Sequence, residues 1–333
     1  MQTGDREAQA GDVLVVTGPT ASGKSALALA LARRLGGSII NMDAMQCYRD
    51  LRILTARPTA AEEALAPHAL YGVRDAALPV SAGWWREAAL AGIAAAHAGG
   101  RLPILCGGTG LYLKALAEGI ADLPEVPAPA RAEARAMVAA NTAAAYAWLA
   151  ARDPASAARI RPTDPQRVAR AIELWLATGQ GLAAWQARAT LPPAPFRFTA
   201  IIVLPPPALL RAAIAARFHA MLAQGALEEV GALLARGLDP ALPILRAHGV
   251  PELAAHLRGV LSLEAAEAQA IQATGRYTRR QRTWWRHHQA APPSRTHNIH
   301  ARIASAEQFS ESEWDRIFAF LDESGLTAAQ HRR

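Results

Sequence analysis

The run Gly18-Pro19-Thr20-Ala21-Ser22-Gly23-Lys24-Ser25 matches the pattern G-x-x-x-x-G-K-[ST] at every fixed position. Glycines at those places let the backbone aim its N–H groups at a ligand beside a helix N-terminus, which suits a di- or triphosphate. Lys24 adds a compact positive charge for the outer phosphates, and the Ser25 hydroxyl can hold Mg²⁺. Gly18, Thr20, Ala21, Ser22, Gly23, Lys24 and Ser25 therefore form the candidate diphosphate cradle, with Ser25 as the candidate metal ligand. The pattern points to a phosphate ester without saying which one, or what happens to it.

Two further positions carry chemistry. Asp43 follows the apolar run Ser38–Met42 and fits three roles: a general base, a magnesium ligand through water, or an aspartate that merely caps a turn. A carboxylate is a weak base at neutral pH, so it works as a base only toward a group that becomes acidic in the transition state. The second position is Thr109, within the glycine-rich turn Gly107-Gly108-Thr109-Gly110 that runs into a helix. Glycine there permits close approach of backbone to ligand, and Thr109 offers either a hydroxyl to the site or an N-cap to its helix. Nucleotide-hydrolysing phosphate-loop proteins place a second Asp at a strand end for magnesium. Here Leu102–Cys106 ends in glycines and Ile201–Leu204 in prolines, which argues against an ATP hydrolase.

These residues need elements to position them. Apolar runs predict strands at Val13–Thr17, Ser38–Met42 and Pro103–Cys106, with helices at Lys24–Leu35 and around Ser81–His97. That alternation predicts a parallel sheet covered by helices, whose ligands sit beyond the C-terminal strand ends. The phosphate loop, Asp43 and Thr109 should then converge on one crevice. Pro124–Pro129 is a break, followed by an Ala- and Arg-rich, helix-favouring region over 130–188 without strand signal. After Leu191–Pro195 a strand returns at Thr199–Leu204, then helices at Pro207–Ala223, Gly225–Arg236 and Leu263–Gln289. Asn298-Ile299 reads as a short last strand, and Ser310–Glu323 as a last helix before a frayed tail. The predicted fold is α/β, a P-loop-type parallel sheet flanked by helices, with an inserted all-helical domain. The boundaries expected are 1–124 and 196–333 for the core and 125–195 for the insertion.

Lys and Arg number 35 against 28 Asp and Glu, a formal net charge of +7, and the later arginines are clustered. Arg161, Arg167 and Arg170 surround Gln166, while Arg276, Arg279, Arg280 and Arg286 recur at helical spacing near Trp284 and Trp285. Arginines on one face with aromatics between them suit a phosphate backbone and unstacked bases. Each tryptophan taken singly reads better as core. Cys47 and Cys106 form no C-x-x-C pair and the histidines show no ligand spacing, so neither a disulfide framework nor zinc is expected. Met1–Asp12 lacks an apolar signal core, and no 18-residue apolar run occurs. The expected location is the cytoplasm, without a membrane partner.

Taken together, the chain resembles the tRNA dimethylallyltransferase (isopentenyl-tRNA transferase) family, bacterial type, from about Val13 to Trp285. The resemblance runs through GPTASGKS (18–25), NMDAMQCY (41–48), LTARP (54–58), PH (67–68), CGGTGLYLKAL (106–116), DPQRVARAIEL (164–174), RFHAMLAQGALEEV (217–230) and RYTRRQRTWWR (276–286). It implies transfer of a dimethylallyl group from its diphosphate to N6 of the adenosine 3′ to the anticodon, in tRNAs reading codons that begin with U. Mg²⁺ is the implied cofactor, dimethylallyl diphosphate and the tRNA anticodon stem-loop are the implied partners, and a monomer is expected. Matching positions imply that Asp43 takes the N6 proton, with Lys24 and Thr109 beside the reacting atoms. Asp43, Ala44, Met45 and Gln46 would contact the flipped base, and Arg217 would lie near the diphosphate. Arg131, Gln166, Arg167 and Arg170, with Arg276, Arg279, Arg280 and Arg286, would face the tRNA. The competing readings are a small-molecule kinase, a prenyltransferase acting on free adenine nucleotides, and a non-catalytic RNA-binding module.

Overall fold

Short apolar runs flanked by glycine and polar residues become the strands of this protein, because alternate side chains must bury on two sides of one sheet. The structure is a computed structural model and describes residues 11–188, 190–303 and 309–326. The expectations for residues 1–10 and for the tail beyond 326 lie outside the described residues. In chain order the described strands are β1 (Asp12–Thr17), β2 (Gly37–Asn41), β3 (His68–Ala69), β4 (Leu102–Gly107), β5 (Ile120–Ala121), β6 (Thr190–Leu191), β7 (Arg197–Val203) and β8 (Thr296–Ile299). Six of them form one sheet in the order β3-β2-β4-β1-β7-β8. Every pairing in it is parallel, so every strand delivers its C-terminal end to the same edge.

The period of two sorts the core. Leu14, Val16, Ile104 and Ile201 face Leu27 and Leu31 of helix Lys24–Leu35 and Trp314, Ile317 and Leu321 of helix Glu311–Glu323. Val13, Val15, Leu105 and Ile202 face the other way, toward Trp85 and Ile93 of helix Ala82–Ala98, Leu113 and Leu116 of helix Gly110–Ala117, and Trp285. At about 1.5–3 kcal/mol for each large apolar side chain buried, these two layers supply the main drive for closing helices over both faces. Trp85 also donates its indole N–H to the Asn41 carbonyl at 2.8 Å and stacks on Tyr112. The helix is thereby pinned to the end of β2, next to Asp43.

Residues Glu118–Pro193 form a compact unit distinct from the rest of the chain. Its helices Ala128–Ala140, Thr142–Arg152 and Pro165–Thr178 enclose Ala134, Leu149, Val168 and Ile172. Asn141 and Asp164 cap the second and third of these helices by accepting from Ala144 and Arg167 N–H, each at 3.0 Å. The unit also holds the antiparallel pair β5–β6, Ile120 opposite Leu191. Two residues are too few to show alternation, so this ladder leaves no mark in the sequence.

A third apolar cluster fills the space between helices Pro207–Ala223, Ala226–Ala235, Val250–Leu257 and Leu263–His287 and the segment Tyr48–Leu54. That segment is irregular, and its backbone donors need partners. Glu229 supplies them: its carboxylate accepts from the N–H of Arg52 at 2.5 Å, Ile53 at 2.8 Å and Leu54 at 2.9 Å. The carbonyls of Thr55 and Ala56, just beyond, each receive a hydrogen bond from Gln46 Nε2 at 2.9 Å. Charge-assisted bonds of this kind are among the stronger ones in a fold. Glu229→Ala is expected to lower stability by about 2–4 kcal/mol, measured as a lower urea midpoint. Glu228→Ala, at an exposed neighbouring position, should stay within about 0.5 kcal/mol of the parent.

Candidate active site

β1 ends in the phosphate loop. Its shape depends on backbone angles that side chains resist: Gly18 has φ +148°, Ala21 +65° and Gly23 +94°. A Cβ on Gly23 would run into the Ile303 carbonyl, so only glycine fits there. Ile303 N–H and Arg302 Nε in turn donate to the carbonyls of Ser22 at 3.0 Å and Ala21 at 3.2 Å, which holds the loop from outside. Helix Lys24–Leu35 begins without a side-chain cap, and its first N–H groups therefore point into the loop without helical partners. The buried Ser22 hydroxyl also has no hydrogen-bond partner. Open N–H groups, an orphaned hydroxyl and Lys24 together form a cradle of donors suited to an anion.

The motif also makes contacts to other parts of the fold. The Thr20 N–H and hydroxyl are directed at Gln281 Oε1, at 2.9 and 3.3 Å. Thr20, expected from the sequence to bind diphosphate, thus also meets a side chain of a distant helix. Ser25 is exposed at the helix start and its hydroxyl reaches Cys106. An exposed hydroxyl beside an oxygen-rich ligand suits Mg²⁺, which keeps several waters and takes few protein ligands. Among the described residues no group of three His, Cys, Asp or Glu side chains could hold a metal by itself.

β2 ends in Asp43, and Asn41 clamps it. The Asp43 N–H donates to Asn41 Oδ1 at 2.8 Å, and Asn41 Nδ2 donates back to the Asp43 carbonyl at 2.9 Å and to the Leu70 carbonyl at 3.0 Å. Asp43 Oδ1 accepts from Met45 N–H at 3.0 Å. Oδ2 meets no donor among the described residues. β4 ends in Gly107, and Thr109 follows. Its hydroxyl does not cap the helix behind it: it accepts from Ala44 N–H at 3.2 Å, while its own N–H donates to the Met42 carbonyl at 3.2 Å. Thr109 therefore ties the two strand ends together.

The charges are in keeping with this convergence. Burial lowers the Lys24 pKa, opposed by Cys106 and by the negative charge of Asp43, while the Arg217 guanidinium adds to the lowering. Arg217, from helix Pro207–Ala223, is likewise lowered by burial and raised by Asp43. Lys24, Arg217 and Asp43 thus share one electrostatic neighbourhood at the C-terminal edge of the sheet. Burial, reinforced by the Asp43 charge, pushes the Tyr277 phenol up to about 12, and its hydroxyl hydrogen-bonds with Thr109 and Gln281.

Helix Leu263–His287 closes this side. Thr278, Gln281 and Trp285 lie on its buried stripe, and Arg276, Arg279, Arg280 and Arg286 are exposed. Trp285 belongs to the core; Trp284 lies against Gly110 and stacks on His288. Ala44, Met45 and Gln46 lie in the turn after Asp43, with both Nε2 protons of Gln46 spent on the 55–56 backbone, so its carbonyl oxygen is what it can offer a base. Arg131, Gln166, Arg167 and Arg170 belong to the Glu118–Pro193 unit. There Gln166 and Arg167 are exposed, Arg131 donates to the Val126 carbonyl at 3.0 Å, and Arg170 pairs at 3.2 Å with the buried Glu173.

Asn41, Gln281 and Tyr277 are site residues that the sequence reading passed over. All three stand inside motifs quoted above. The signal for Gln281 was a polar side chain on the 278/281/285 stripe that its helix buries.

Comparison with known proteins agrees with this geometry. The family model described as IPP transferase matches residues 46–288, and that described as isopentenyl transferase matches residues 11–66. A protein named tRNA dimethylallyltransferase from Acidiphilium cryptum is 58% identical over 311 residues, covering 93% of this chain and 94% of its own length. One of the same name from Gluconacetobacter diazotrophicus is 57% identical over 310 residues, covering 93% of each. The solved full-length tRNA isopentenylpyrophosphate transferase from Bacillus halodurans superposes with a TM-score of 0.64 at 28% identity, over 96% of this chain and 99% of that one. A eukaryotic dimethylallyltransferase solved acting on tRNA shares the fold with a TM-score of 0.77 at 23% identity, over 95% of this chain and 80% of that one. With a P-loop-type sheet, one model spanning most of its length and relatives more than half identical, the chain belongs to the IPP transferase family.

Proposed function

We propose that this protein transfers the dimethylallyl group of dimethylallyl diphosphate to N6 of the adenosine 3′-adjacent to the anticodon, in tRNAs reading codons that begin with U, and releases pyrophosphate. The observation that carries this reading is the shared neighbourhood of Asp43, Lys24 and Arg217: one carboxylate beside a cationic, amide-lined cradle. The diphosphate lies in the phosphate loop. As the bond from the allylic C1 to oxygen breaks, its electron pair stays on the diphosphate. Lys24, Arg217, the loop amides and the Ser22 hydroxyl stabilise that charge. Ser25 would hold Mg²⁺ through its hydroxyl, and the ion would supply further charge neutralisation.

N6 of adenine is a poor nucleophile because its lone pair is delocalised into the ring. Its attack on C1 makes its proton acidic, so a carboxylate that is weak at neutral pH suffices to take it. Asp43 Oδ2 receives the proton, and the clamp by Asn41 and Met45 keeps that oxygen aimed. Thr109 and Ala44 to Gln46 border the place where the base enters. A loop adenosine must leave its stack to reach it, at a cost of a few kcal/mol. The exposed Arg276, Arg279, Arg280 and Arg286 offset this by gripping the backbone, joined by Arg131, Gln166, Arg167 and Arg170 of the second unit. Among the described residues no helix is long and apolar enough to cross a membrane, in keeping with a tRNA enzyme of the cytoplasm.

The direct test is incubation with dimethylallyl diphosphate and unmodified tRNA carrying an A-A-A run beside the anticodon. One adenosine should gain one dimethylallyl group by mass, while AMP is left unchanged; an unmodified tRNA would sink the proposal. Asp43→Ala should keep tRNA affinity and lower single-turnover transfer by about 10²–10⁴-fold. Arg279→Ala should weaken every tRNA alike and reduce the salt slope of binding by about one unit, read from filter binding across a salt series.

A further inference from the structure

Gln281 is 4% exposed, and besides meeting the Tyr277 hydroxyl its amide reaches both glycine-rich turns. Its Oε1 accepts from Thr20 N–H at 2.9 Å and lies 3.3 Å from Thr20 Oγ1, while its Nε2 donates to the Gly108 carbonyl at 3.0 Å. The partners dictate the amide's orientation, since a backbone N–H only donates and a backbone carbonyl only accepts. A Cβ on residue 108 would collide with that amide, so the glycine gives Gln281 its approach. One residue earlier, Thr17 Oγ1 joins the strand ends themselves by donating to the Gly107 carbonyl at 2.8 Å. Gln281 is the link at the level of the turns.

The helix that carries Gln281 exposes Arg276, Arg279 and Arg280 on its other side. With 100° between successive residues, these three fall within about a quarter-turn of one another, and Gln281 points away from them. A single rigid helix thus has a cationic outer face and an inner amide holding both the phosphate loop and the Thr109 turn.

On the reading of the preceding section, we propose that Gln281 is a positioning residue that locks the phosphate loop and the Thr109 turn in one register and makes that register depend on the arginine-bearing helix. The ligand it serves is the diphosphate of the prenyl donor, which it does not touch. Gripping the tRNA backbone on the outer face steadies the same helix that aligns the cradle on its inner face. Loss of the amide leaves Thr20 N–H and the Gly108 carbonyl unpaired in a buried place, and the two turns lose their common reference.

The test uses the full chain with Gln281→Met and Gln281→Glu. Methionine keeps the volume and removes both sets of bonds. This variant should hold tRNA affinity within about two-fold, weaken inorganic pyrophosphate binding by calorimetry about ten-fold, and lower the transfer rate about a hundred-fold. The glutamate variant adds a readout that simple loss of stability would not move. Its ionised carboxylate repels the Gly108 carbonyl, whereas the protonated acid restores both the donor and the acceptor, and burial favours that neutral form. Its activity relative to the parent should therefore rise as pH falls. Parent-like pyrophosphate affinity and rate in Gln281→Met, or a flat pH ratio for Gln281→Glu, would overturn the proposal. If Gln281→Met does not fold, the Gln281→Glu profile decides. Should the parent itself fail to prenylate tRNA, the proposed function falls, and pyrophosphate affinity still judges Gln281 on its own.

Discussion

Parallel pairing of β1 between β4 and β7 is the constraint on which the rest of this molecule depends. Parallel strands deliver their C-terminal ends to one edge, and each end here carries a turn with chemical content. β1 brings the phosphate loop, β2 brings Asp43 and β4 brings Thr109. An antiparallel neighbour at any of these places would send its turn to the opposite side. Burial on both faces of the sheet fixes the register, because a slip of one residue would exchange Leu14 and Val16 for Val13 and Val15 in the two core layers.

Electrostatics then turns that edge into a site. Lys24 and Arg217 are both held in surroundings that disfavour their charge, and Asp43 is a compensating negative group for each. Such an arrangement is costly in the free protein and becomes favourable when an anion enters. The Ser22 hydroxyl, buried and unpartnered, belongs to the same pattern. On the proposed function, a diphosphate would relieve these tensions together and would gain most from them as its charge grows on departure from carbon.

The polar groups around the site work mainly by holding backbone. Asn41 clamps Asp43, Thr109 joins the β2 and β4 turns, Glu229 gathers the N–H groups of 52–54, and Gln281 spans the two glycine-rich turns. Each spends a buried or partly buried polar side chain on an irregular segment whose donors and acceptors a ladder cannot satisfy. Arg276, Arg279, Arg280 and Arg286 do the opposite: they stay at the surface, where they remain available to a polyanion.

Local pattern alone determined much of this protein. The phosphate loop, the succession of strand and helix, the bounds of helices Lys24–Leu35 and Pro207–Ala223, and the exposure of the late arginines all follow from short-range spacing and polarity. The quoted motifs singled out Asp43 and Thr109 as well. Tertiary structure decided what sequence spacing does not encode: that Thr20 meets Gln281, 261 positions away; that the Thr109 hydroxyl reaches Ala44 and not its own helix; that Glu229 caps a loop 175 or more residues earlier; and that β3, β5 and β6 form at all. The physical reason is the same in each case. Periodicity reports which side of an element is buried, whereas the partner of a buried polar group is set by which distant backbone the packing brings within 3 Å of it.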